Sequence, residues 1–142
     1  MRKETTDEIV SNVEWYLTEV KKIADTLRRS CRDILCSVCS YYSCIDSPEL
    51  SDKEAIIKEA KRMSNPNKYC SLLGMMGLSS VLKANIRSVY PQVNVTHRKI
   101  ISRMLTPRVT PVENTYYIMW SREEMDSRKG AVFNPNHFVP LV

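Results

Sequence analysis

Two histidines and five cysteines are the residues of this 142-residue chain whose types could do nucleophilic or metal chemistry. His137 follows the turn formers Asn134-Pro135-Asn136 and opens the short apolar run Phe138-Val139-Pro140-Leu141-Val142. An imidazole titrates near neutrality, so a histidine held at a strand entrance can take the proton of a thiol nucleophile as general base. Cys70 follows Asn67-Lys68-Tyr69 where a helix begins. A helix start lowers a thiol pKa through its dipole and free amides, which makes Cys70 the substitute nucleophile. Cys36 and Cys39 sit inside a helical pattern with no glycine turn before them. Cys36-x-x-Cys39 with Cys31 and Cys44 resembles half of a zinc site. Structural zinc needs two close pairs joined by knuckle turns, so these cysteines read as small buried thiols instead. No Gly-rich phosphate loop, His-Glu-x-x-His or Gly-x-Ser-x-Gly occurs, and neither a metal nor a cofactor is expected.

The elements that must position these residues fall into two textures. Up to about residue 85 the chain reads as helical. Val13, Leu17, Val20, Ala24, Leu27, Cys31, Ile34 and Val38 recur at four- and three-residue steps, which predicts one seam of a single long helix. Thr5-x-x-Glu8 reads as a capping box before it. The seam has two readings: a coiled-coil helix that makes a homodimer, or an amphipathic helix packed on its own domain. Turn formers from Ser43 to Ser51 end this segment, and Ser51-Asp52-Lys53-Glu54 caps a second helix carrying Ile56, Ile57, Ala60 and Met63. Asn65-Pro66-Asn67 stops that helix. A third, from about Tyr69 to Lys83, is apolar almost all round and should be the central buried helix. Gly74 and Gly77 within it make sense only where another element approaches closely.

After Asn85 five of the seven prolines separate β-rich runs at Ile86–Tyr90, Thr115–Trp120, Ala131–Phe133 and His137–Leu141. Tyr116, Ile118 and Trp120 alternate with Tyr117 and Met119, as in a strand apolar on both faces. Pro140 inside the last run points to an edge strand or an early strand end. Helices first and strands later predict an α+β domain with helices packed on a small C-terminal sheet.

Hydrophobic residues make up 43% and charged residues 26%, ordinary for a globular domain, and 142 residues suffice for one core. The net charge of +5 is scattered. Lys21-Lys22 and Arg28-Arg29 lack interleaved aromatics and read as a solvated helix face, not a nucleic-acid stripe. No run of about 18 apolar residues predicts a membrane span, and Met1 to Thr6 has no apolar signal centre. An intracellular setting with reduced thiols is expected. Asn94-Val95-Thr96 then carries no meaning as a glycosylation sequon.

In order along the chain come Ser71–Leu82, Ile86-Arg87-Ser88-Val89-Tyr90-Pro91, Thr106-Pro107-Arg108, Tyr117-Ile118-Met119-Trp120-Ser121 and Pro135-Asn136-His137-Phe138-Val139-Pro140-Leu141. This order resembles the C-terminal half of ovarian-tumour (OTU) cysteine-protease-like domains of divergent animal or transposon-derived type. The resemblance covers roughly residues 50–142. It implies an OTU-like helix and sheet core over 46–142 with the fold's N-terminal part missing; with the long helical segment that the apolar spacing predicts over residues 1–45, a single domain in all is expected. It assigns His137 the role of the histidine that deprotonates the catalytic cysteine. The family's nucleophile lies in an Asp-Gly-Asn-Cys-type turn, and no Asp-Gly or Gly-Asn pair occurs in these residues. Position 139, polar in some members, is Val139. The resemblance thus points to an incomplete or degenerate deubiquitinase domain that is non-catalytic as it stands, with ubiquitin or a ubiquitinated protein as partner. The alternative from another class is a helical dimerisation module with no ubiquitin role. An active hydrolase with a rearranged dyad requires a thiol beside His137.

Overall fold

A computed structural model describes residues 1–39, 49–68, 70–91, 95–109, 112, 114–121 and 137–141, with the backbone alone at 95, 121, 137–139 and 141. It shows an α+β arrangement. Helices α1 (Arg2–Ser11), α2 (Val13–Leu27), α3 (Cys31–Val38), α4 (Asp52–Met63) and α5 (Leu72–Leu82) come first. Strand β1 (Asn85–Val89), helix α6 (Val95–Ile101), and strands β2 (Arg103–Leu105), β3 (Thr115–Ser121) and β4 (His137–Leu141) follow. The four strands form one sheet in the order β2-β1-β3-β4. The central pair β1–β3 is parallel, and both flanking pairs are antiparallel. Among the described residues β4 is therefore an edge, a place where Pro140, which has no N–H to donate, is tolerated. The Ala131–Phe133 run, Cys44 and most of the Ser43–Ser51 turn lie outside the described residues.

The seam that predicts a single long helix is delivered in two pieces. Arg28 takes a left-handed conformation (φ 53°) and the Arg29 N–H closes back on the Ala24 carbonyl at 3.0 Å, a helix stop of the Schellman kind. Ser30 then caps α3 by accepting from the Asp33 N–H at 3.1 Å. The apolar spacing survives the break because both helices face the same core: Val13, Leu17, Val20 and Ala24 of α2 and Ile34 and Val38 of α3 are all buried in it. The seam is consumed within the domain. Lys21, Lys22, Arg28 and Arg29 are exposed, as a solvated face requires.

Two other expectations change. Thr5-x-x-Glu8 is not a capping box, because α1 already starts at Arg2 and the Thr5 hydroxyl donates to the Met1 carbonyl at 2.9 Å. The expected strand apolar on both faces buries one row only. Ile118 and Trp120 of the inner row are buried, Tyr116 at the start of that row is 52% exposed, and Tyr117 of the outer row is 48% exposed. The short elements α6 and β2 carry too few residues for their periodicity to show in the sequence.

The Ser51–Glu54 capping box on α4 is formed in both directions. Arg2 closes that helix at its other end, donating to the carbonyls of Met63, Asn65 and Lys68 at 2.9, 3.2 and 3.0 Å. α5 is the central helix, packed by α1 and α4 on one side and by β1 and β2 on the other. Its glycines mark the contacts. A Cβ on Gly77 would sit 2.6 Å from Ile9 Cδ1, and one on Gly74 would sit 2.4 Å from both Cys70 Sγ and Met63 Sδ. α1 and α4 reach α5 so closely because these two side chains are absent.

Candidate functional site

The strand register fixes where the histidines stand. β1 and β3 run parallel with Val89 opposite Met119, and β4 returns with Phe138 opposite Trp120 and His137 opposite Ser121. The His137 backbone thus enters the sheet beside the carboxyl end of the β1–β3 pair. Tyr90 leaves β1 at that same end, and its ring meets His97 edge to face with centroids 6.4 Å apart. His97 is exposed, and Tyr90 is buried beneath it. Deeper in the sheet the Trp120 indole N–H donates to the Ser88 hydroxyl at 2.7 Å, so the two parallel strands are tied by a buried polar bond. The tertiary fold therefore gathers both histidines at one end of the sheet, the end where ligands commonly sit in sheets built on parallel strands.

Cys70 belongs to another neighbourhood. Ser71, not Cys70, is the N-cap of α5: its hydroxyl accepts from the Gly74 N–H at 3.4 Å. The Cys70 thiol donates to the Ser71 carbonyl at 3.5 Å and lies 3.8 Å from Met75 Sδ. Burial is the main influence on it and pushes its pKa up to about 11, with the Glu59 carboxylate acting in the same direction and Arg2 and Arg62 opposing. The lowered pKa expected of a helix start is reversed here: Cys70 precedes the N-cap Ser71, and burial is the largest influence on its thiol. All of these neighbours belong to α1, α4 and α5. The Cys31 thiol is likewise pushed up to about 11, first by burial and then by Asp52. Cys39 is buried in the core, and Cys36 packs against it half-buried.

One polar cluster escaped sequence reasoning. The Tyr16 hydroxyl lies 2.9 Å from Glu8 Oε1 and 3.0 Å from Ser80 Oγ. Arg108 donates its backbone N–H to Ser80 Oγ at 3.0 Å and its guanidinium to Glu8 at 2.8 and 3.3 Å. Burial, and after it the Glu8 carboxylate beside it, hold the Tyr16 hydroxyl above its usual range. Only the pairing of a buried tyrosine on α2 with an acid one turn and more upstream on α1 could have signalled this cluster; Ser80 and Arg108 give no sign in sequence. The cluster joins α1, α2, α5 and the loop after β2 across 100 residues of chain.

A family model described as "Vertnin, OTU domain" matches residues 1–121. The chain belongs to the Vertnin OTU-domain family. It is similar to Vertnin of Danio rerio, 36% identical over 77 residues, a stretch that covers 52% of this chain and 11% of that protein. It is also similar to Vertnin of Homo sapiens and of Mus musculus, 30% and 29% identical over 104 residues. Those matches cover 68% of this chain and 14% of either relative, so the chain spans a small part of the Vertnin proteins it resembles. No solved structure matches it. The Vertnin-type match begins at α1 and ends at β3. It takes in the N-terminal helices, with Tyr16, Glu8 and Arg108, beyond the 50–142 stretch in which the OTU resemblance is legible. β4 and His137 come after it.

Proposed function

We propose that this OTU-type domain works as a non-catalytic module that binds ubiquitin or a ubiquitinated protein, with His137 as the counterpart of the family's histidine. The observation that carries the reading is that none of the five cysteines in these residues follows glycine or asparagine: they follow Ser30, Leu35, Val38, Ser43 and Tyr69. An OTU nucleophile needs a tight turn that presents its sulfur to a helix N-terminus and an imidazole. The two thiols whose pKa values stand at about 11 are protonated at neutral pH, and a thiol in that form attacks an isopeptide carbonyl poorly. Met104 and Tyr117 both stand in register with Arg87 on one face of the sheet, and their exposed side chains offer the kind of aromatic and apolar surface that partner proteins engage.

Two measurements test the two halves of the reading. Incubation with a ubiquitin carrying a C-terminal thiol-reactive group should leave the chain unmodified by mass spectrometry; an adduct at Cys70, Cys36 or Cys39 overturns the non-catalytic half. NMR titration with ubiquitin and diubiquitin should shift amide resonances on β3 and β4, and an unchanged spectrum at millimolar ligand overturns the binding half.

A further inference from the structure

Beside Gly74 the side chains of α4 and α5 bring sulfur together. Cys70 Sγ and Met75 Sδ are 3.8 Å apart. Cys70 Sγ and Met63 Sδ each lie 2.4 Å from the point a Gly74 Cβ would occupy, which places them within about 5 Å of each other. The three sulfurs border a cleft of about 190 Å³ whose mouth is lined by Met1 and Arg2. The Ser71 hydroxyl lies 3.3 Å from Met63 Sδ. Met63 and Met75 are buried, and Cys70 is half-buried where it borders the cleft.

We propose that Met63, Cys70 and Met75 form a binding site for Cu(I). Soft thioether and thiolate ligands select this closed-shell, polarisable cation over the harder divalent metals, which ask for imidazole or carboxylate. With metal–sulfur bonds of about 2.3 Å, three sulfurs around one ion in a plane stand about 4 Å apart. The Cys70–Met75 separation of 3.8 Å already meets that spacing. Met63, whose sulfur is within about 5 Å of Cys70 Sγ, closes the triangle by rotating its flexible terminal torsions, as an unbranched side chain can. Binding replaces the Cys70 S–H bond with an S–Cu bond and releases the proton to solvent; the metal enters as Cu(I), and no electron moves. The thiolate cancels the ion's charge, which a buried site requires. Arg2, the nearest cation at the mouth, is occupied by the three carbonyls that end α4. Glu59 on the Cys70 side is paired with Arg62 at 2.7 Å, so the two bring no net charge to the site. Gly74 is what leaves room for the sulfurs, so the close packing of α4 on α5 and the site have a single cause.

The test is an anaerobic titration of the chain with Cu(I) in competition with bicinchoninate, followed by X-ray absorption at the copper edge. One copper per chain with three sulfur neighbours is expected. Cys70→Ser should abolish that copper. Met63→Leu and Met75→Leu, which keep volume and apolarity, should each weaken it about tenfold or more, the scale on which loss of a metal-site partner is felt. A variant with Cys31, Cys36, Cys39 and Cys44 changed to alanine should keep it. The proposal is overturned if copper is lost from that four-cysteine variant, if Cys70→Ser retains it, or if bicinchoninate removes it completely. Should Cys70→Ser unfold, retention of full affinity by both methionine variants overturns the proposal equally.

Discussion

At the scale of single residues, two side chains carry more than their types announce. Tyr16 is fully buried, and its hydroxyl sits between Glu8 and Ser80. Tyr16→Phe leaves those two groups with an unfilled position, and a loss of about 1–2 kcal/mol is expected in urea unfolding followed by circular dichroism. Gly77 touches Ile9 where a methyl group would fall 2.6 Å from its Cδ1. Gly77→Ala should cost about 1–3 kcal/mol despite its better helix propensity, because the packed core must give way. Ile9→Val in the same chain should return part of that loss, and additive losses would show that the contact is not the cause. The buried thiols give a pH signature. Cys70 and Cys31 stand at about 11 in the folded chain against an ordinary value of 9.0. Between those values the unfolded chain has released protons that the folded chain still holds, so unfolding gains and stability falls as pH rises. The contribution is complete below about pH 9 and lost by about pH 11. Melting temperatures across that window should decline less steeply in Cys70→Ala than in the parent.

Elements are decided by their ends. α4 starts on a reciprocal Ser51–Glu54 box that the sequence spells out, and Ser51→Ala should cost about 1 kcal/mol. The ends of α2 and α5 are harder to read, because Arg28 and Lys83 adopt φ of 53° where glycine is the usual signal. A reader of apolar spacing therefore runs α2 into α3 without a break. Arg28→Gly should raise stability by a few tenths of a kcal/mol, since the left-handed turn costs glycine nothing. A decrease would mean that the Arg28 side chain, not its backbone, does the work at that turn. β3 illustrates the same limit: its alternating pattern locates the strand, but which of its rows the helices cover is set by the packing of α5 on β1 and β2.

At the scale of the whole molecule, the N-terminal helices are part of the domain. Glu8 on α1 reaches Arg108 after β2, and Ile9, Val13, Tyr16, Leu17 and Val20 lie in one core with Leu73, Ile86 and Trp120. Deleting residues 1–11 should abolish cooperative unfolding of the remainder, not merely lower its midpoint. Leu17→Asp discriminates between a dimer seam and a core. Leu17 is 9% exposed in the single chain, so light scattering should find the parent a monomer, and the variant should unfold. A folded monomeric variant obtained from a dimeric parent would favour the assembly reading.

The sequence by itself determined which segments are helix or strand wherever periodicity runs long enough, as in α2, α4, α5 and β3. It narrowed the last run to an edge strand or an early strand end from Pro140, and located the close contacts from Gly74 and Gly77 and the OTU resemblance from ordered short motifs, since all of these are properties of local pattern. The tertiary structure alone decided that one seam becomes two helices in a shared core, that burial raises the Cys70 thiol where a helix start would lower it, and that His137 and His97 meet the same end of the sheet. Desolvation, strand register and contacts between residues 100 positions apart depend on three-dimensional neighbours, and no window of sequence contains them.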